Sequence, residues 1–288
     1  MSDTNFSLID FKALSEPAGK LIDAVRSAVG ILYEPTQLRR KAHADADAAV
    51  ILARNHNDIK DIEFRASERL RNKELRRQQN IEDVTRAGLA ALPPAVDKDR
   101  VDHDWVHEFY EHCQDVGNAQ MQQLWGKILA GEVAKPGTYS LRCLRVIKDI
   151  QQKDADTFTR FCTFVWAAPG QGLVPIILDR DAPNIKEANV AFTDFLHLED
   201  MGLIQFGQVT GFSMDQVKGK TLILAYYGQP HRIRVPETLE KLEIGCALLT
   251  SVGAELAPIA GSRPSEPYRR SIVDRWRADG CIIEELPK

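Results

Sequence analysis

Apolar residues recur every three to four positions through most of the first 165 residues, and the rhythm turns toward alternation in the last third. The first rhythm marks helices, because residues i, i+3 and i+4 share one face. Leu14, Leu21, Ile22, Val25, Val29 and Leu32, with Lys20, Asp23 and Arg26 between them, predict an amphipathic helix over Phe11 to Tyr33. Pro35 ends it, since the residue before a proline is pushed out of the α region. From Pro35 to about Leu92 there is no glycine before Gly88, and strong helix formers dominate. One or two long helices are expected there, bent near Asn55 to Asp58. The apolar stripe of the second half (Ile62, Ala66, Leu70, Leu75) is thin and its flanks are charged, which suits a coiled-coil or oligomer contact better than a globular core.

Pro93, Pro94 and Asp97 to Asp102 read as a linker. A helical block follows from Asp104 to Val165, with Trp105, Val106, Phe109, Tyr110, Cys113, Trp125, Ile128 and Leu129 as its buried face. Lys135 to Thr138 is a turn, with Ser140 and Asp154 as caps of the next two helices. Gly126 and Gly131 sit inside helical sequence, where glycine costs stability, so a close helix crossing is expected. One helix is predicted over Asn184 to Gly202, with the glycine just past its end. Strands follow at Leu203 to Val209 and Lys220 to Tyr227, joined through Gly211 to Gly219, with a third at Ile244 to Leu249. Thr250 caps a short helix, and a final helix, Pro267 to Ala278, stops at Gly280 before a strand at Cys281 to Glu285. A helix, a Gly-Leu-Ile turn into a strand, a loop and a returning strand outline a winged-helix-like unit. The expected fold is therefore mainly α with a C-terminal α+β part, divided into 1–94 (long N-terminal helices), 103–168 (helical bundle) and 184–288 (winged-helix-like).

Composition narrows the function. The chain has 288 residues, 44% hydrophobic and 27% charged, ordinary for a globular protein. A net charge of −4 provides no global field for nucleic acid or acidic membranes. Five scattered cysteines, never spaced C-x-x-C, argue against a disulfide framework or zinc cage. With no secretory signal pattern at the N-terminus, a cytoplasmic location is expected. No transmembrane segment is expected either: Phe161 to Leu178 is broken by Pro169, Gly170, Gly172 and Pro175, and Leu242 to Gly261 contains Glu243 and Glu255.

Four clusters bear on chemistry. His103 and His107 share a helical face with Glu111, the weak candidates for a metal, but the arrangement is not H-E-x-x-H and an exposed polar face explains it as well. No metal or other cofactor is expected. Arg69 and Arg76, in the basic run Arg65 to Arg77, could track phosphates, although Glu63, Glu68 and Glu74 are interleaved as on a solvated helix. Arg39 and Arg40 fall at a helix start, where positive charge opposes the macrodipole, so they are candidate contacts to a partner. His231, Arg232 and Arg234 are the corresponding candidates near the wing. Gly170-Gln171-Gly172 lacks the lysine of a phosphate loop, and Ser213, Ser251 and Ser262 lack a G-x-S-x-G context. No residue is assigned as catalytic.

The segment Gly30 to Ala46, with Tyr33-Glu34-Pro35 near its start, and the segment Leu124 to Glu132, followed by Ser140-Leu141-Arg142 and Asp154-Ala155, resemble an uncharacterised family of bacterial and prophage proteins, a domain of unknown function of the DUF 2806 type. More distantly they resemble the Abi-alpha abortive-infection proteins. The likeness covers roughly residues 18 to 205. It implies a bacterial protein linked to phage defence or mobile elements. The expected function is a non-enzymatic interaction or regulatory protein that oligomerises through its helices or binds a protein partner. A nucleic-acid-binding winged-helix regulator and a divergent effector enzyme are the alternatives.

Overall fold

The computed structural model describes residues 15–29, 58–170, 172–207 and 211–287, the side chains of 58–60 excepted. Arg39, Arg40, the Tyr33-Glu34-Pro35 segment and the expected bend at 55–57 lie outside the described residues. The chain divides into two compact units, residues 1–144 and 145–288.

The first unit contains α1 (Glu16–Val29), α2 (Asp58–Ala91), α3 (His103–Cys113) and α4 (Ala119–Ala134). Helix α5 (Leu141–Asp149) carries the chain from one unit into the next. Asp102 caps α3 by accepting the Trp105 amide at 2.9 Å, and Asn118 caps α4 by accepting those of Gln120 and Met121. The core is aromatic at its centre: Trp105 stacks on Phe109, and Phe109 meets Trp125 edge to face, both at 5.2 Å. Leu21, Ile22 and Val25 of α1 and Ile81 and Val84 of α2 close over it. Gly126 makes the expected close crossing. A Cβ there would lie 2.6 Å from the Cβ of Ala87 and 2.8 Å from the amide nitrogen of Gly88. Several buried polar side chains are paired across the same helices: Asn80 donates to the Gln114 carbonyl, Gln122 to Asn80 and the Val116 carbonyl, and Thr85 meets the Tyr110 hydroxyl at 2.9 Å.

The second unit is α+β. Its elements are α6 (Gln152–Cys162), β1 (Val165–Ala168), β2 (Gly172–Pro175), α7 (Pro183–Glu187), α8 (Phe192–Asp200), β3 (Ile204–Phe206), β4 (Phe212–Asp215), β5 (Thr221–Tyr226), β6 (Gln229–Arg234), β7 (Lys241–Gly245), β8 (Ala247–Leu249), α9 (Ser251–Leu256), α10 (Glu266–Ala278) and β9 (Ile282–Glu285). An antiparallel sheet runs β2-β1-β5-β6-β9, while β3 pairs with β8 and β4 with β7 to make a two-stranded ribbon. The β5–β6 hairpin is therefore inserted at the tip of that ribbon and contributes the middle of the other sheet. Trp166 lies against Tyr226, His231 and Trp276, all within 5.4 Å between ring centres. The buried Tyr268 hydroxyl donates to the Ile176 carbonyl and accepts from the Trp166 indole.

Several expectations are corrected. The helical block ends at Cys162, and Val165 opens a hairpin whose Gly170 and Gly172 take positive φ. The helix expected over Asn184 to Gly202 is two, because Asn189 takes a left-handed φ of 53° between α7 and α8. Asp154 is not the cap of α6 but its third residue, accepting the Gln151 amide at 2.9 Å. The strands at 204 and 221 do not pair with each other: β3 pairs with the distant β8, and β5 lies between the distant β1 and the adjacent β6. The strand expected at Ile244 to Leu249 is broken at Cys246 into the ends of β7 and β8.

Candidate interaction surface

Helix α2 is built in two halves. Its C-terminal half buries Asn80, Ile81, Glu82, Val84 and Thr85 in the first unit. Between Asp61 and Leu75 no described side chain is buried. Ile62 is 61% exposed and Leu70 60%, among the most exposed large apolar residues that are described. The ion pairs of this stretch run along the helix itself, Arg65 to Asp61 at 3.2 Å and Arg71 to Glu68 at 3.7 Å, until Arg76 and Arg77 reach Asp115 beyond the end of α3. Hydrogen bonds from Arg77 hold the Asp115 carboxyl below the usual carboxylate range against the opposing effect of burial, and the charge of Arg77 adds to them. This anchor has no sequence signature; Asp115 sits 38 residues from Arg77.

The other sequence-predicted residues are dispersed. Arg69 is exposed on α2, and Arg76 lies 3.7 Å from Asp115. Arg232 and Arg234 point from one face of β6 and both reach Glu284 on β9, each at 3.0 Å. The strand alternation that turns them outward turns His231 inward. It is fully buried, with Nδ1 3.0 Å from the Gln229 carbonyl and Nε2 2.9 Å from the Arg269 guanidinium. His231 is therefore not a surface contact but a neutral core imidazole that donates through Nδ1 and accepts through Nε2. Burial, then the charge of Arg269, hold its pKa below the ordinary value. His103 places Nε2 3.1 Å from the Ser27 carbonyl, and His107 is exposed one turn on. Among the described residues no group of three or more His, Cys, Asp or Glu is placed to hold a metal ion. Burial pushes the Cys113 and Cys162 thiols up, away from nucleophilic use.

The second unit has a cleft of about 610 Å³ between the β4–β7 ribbon, the 178–181 loop and the end of α10. Its cations are matched by neighbouring acids: Lys241 lies 3.4 Å from Asp215, Arg275 3.3 Å from Asp279 and Arg180 3.8 Å from Asp181, with Arg180 also over the Phe192 ring. The cleft is polar and locally balanced in charge, so its lining does not single out a ligand of either sign.

A helical unit followed by an antiparallel α+β unit is the class of protein that this architecture defines. Within it, the chain belongs to the family described as "Protein of unknown function (DUF2806)", whose model matches residues 64–273, most of the chain. The match takes in Leu124 to Glu132 and Asp154 and leaves Tyr33-Glu34-Pro35 outside. No curated protein and no solved structure matches the chain. Among the described residues no helix is long and apolar enough to cross a membrane.

Proposed function

We propose that this protein is a non-enzymatic interaction or regulatory component that self-associates through the exposed half of α2, with phage defence as the setting implied by its resemblance to abortive-infection proteins. The observation that carries the reading is the stretch from Asp61 to Leu75. A helix this polar gains little from propensity alone, and a helix needs tertiary contact for most of its stability. Its exposed apolar residues, Ile62 and Leu70, give a partner something to cover.

The nucleic-acid alternative draws on the order of elements in the second unit. Helix α6, the extended residues near Ile177, helices α7 and α8, and the β3–β8 pair follow the sequence of a winged helix. Three features weigh against duplex binding by that plan. Helix α8, in the place of a groove-reading helix, carries Asp194, Glu199 and Asp200 and no lysine or arginine. The ribbon tip folds into a sheet instead of forming a free wing. Arg232 and Arg234 already share Glu284.

Light scattering on the eluting protein tests the main reading. Deleting α2 would remove part of the first core, so the test uses Ile62→Asp with Leu70→Asp, both at exposed sites. The parent should run above the 32.3 kDa of one chain and the variant near it. A parent that stays at 32.3 kDa at every concentration removes the reading. Binding of short duplexes that falls steeply with salt, and is lost in Arg232→Ala with Arg234→Ala, would favour the alternative.

A further inference from the structure

The geometry points to a second copy of this chain as the occupant of the exposed stripe on α2, paired about a two-fold axis at Ala66; this rests on the self-association proposed above and specifies its contact. Ile62, Ala66 and Leu70 are spaced four residues apart, so they form one ridge along the helix surface. The large residues at the ridge ends are exposed, and the small alanine between them is exposed too. A small residue at the centre lets two helix backbones approach closely, and ridges of this kind interdigitate with their like.

Charge fixes the partner as a copy of the same helix. Glu63 and Arg69 flank the ridge on opposite sides, each three residues from Ala66. A two-fold axis through Ala66 can therefore set Glu63 of one copy beside Arg69 of the other, and symmetry repeats the pair. Both side chains are exposed, and neither is held in an ion pair by a described residue. The wider pattern has the same sense. Asp61 and Glu63 precede Ala66, and Arg69, Arg71 and Lys73 follow it, so the acidic stretch of one copy lies toward the basic stretch of its mate. Leu75 lies on another side of the helix and is no part of the contact.

The test is a charge exchange on the full chain, read by sedimentation velocity over a range of concentrations at low salt. Glu63→Arg and Arg69→Glu, made singly, each set like charges together twice. Each should raise the dissociation constant about tenfold, while circular dichroism stays unchanged because both positions are exposed. The double variant restores opposite charges across the axis and should return association to near the parent value. A parent that is monomeric throughout overturns both this inference and the self-association beneath it. A parent dimer indifferent to both single changes overturns the inference and leaves self-association standing. Single changes that weaken the dimer without rescue in the double variant overturn the Glu63–Arg69 pairing. A change in monomer stability instead of mass would assign the stripe to residues 30–57 of the same chain.

Discussion

Gly126 and Gly19 respond in opposite ways to an added methyl group. At Gly126 the new Cβ would meet the backbone and Cβ of α2 at 2.6–2.8 Å, and backbone cannot step aside as a flexible side chain can. Overpacking of that kind costs about 1–3 kcal/mol, more than the ~1 kcal/mol that alanine gains over glycine in a helix. Gly126→Ala should therefore lower the urea midpoint. Gly19, in α1, has nothing within 4 Å of the same atom, and Gly19→Ala should raise stability by roughly 0.5–1 kcal/mol. His231 supplies a pH dependence. Its folded pKa is depressed by burial and Arg269, so the unfolded chain takes up the proton first. Stability is then full above the unfolded value of about 6.5 and falls as pH drops through and below it. Denaturant midpoints at pH 7.5 and 5.5 should differ in the parent, and His231→Gln should flatten that difference. An equal slope in both would assign it to other groups.

Elements were legible in the sequence where one periodic signal dominated and illegible where partners were distant. The four-residue spacing of Trp105, Phe109 and Cys113 placed α3, and Thr250 was readable as a cap because Ser/Thr/Asn/Asp at a helix start have few other uses. Distant sheet partners were not readable. The β5–β6 hairpin closes locally through Tyr227 and Gly228, but nothing in Thr221 to Tyr226 says that its other neighbour is β1, because that pairing is decided by which edges the tertiary fold brings together. The candidate surface divided the same way: the thin stripe on α2 was visible as a pattern, while Glu284 as the clasp of Arg232 and Arg234 was not. That clasp carries its own test. Glu284→Gln should cost less than about 1 kcal/mol in global stability, as exposed pairs do, yet speed amide hydrogen exchange in β9. Unchanged exchange there would mean that the strand is held by its backbone ladder alone.

At the scale of the whole molecule, the chain divides into two compact units, each with buried apolar residues of its own. The ring neighbours of Trp166, namely Tyr226, His231 and Trp276, all belong to the second unit. A fragment of residues 140–288, which keeps the Ser140 cap and all of α5, should retain the near-ultraviolet circular dichroism of packed tryptophans and unfold in one cooperative step. A fragment lacking that signal would show that the second core depends on the first. The five-stranded sheet adds an order of events. In synthesis, β1 and β2 emerge early, β5 and β6 much later, and β9 after all the strands it joins. Until residues 282–285 are in place, β6 offers an open row of backbone donors and acceptors to any strand nearby. A nick just before β9 would therefore announce itself less as lost local order than as a sticky chain, drawn into aggregates by the edge its own last strand exists to cover.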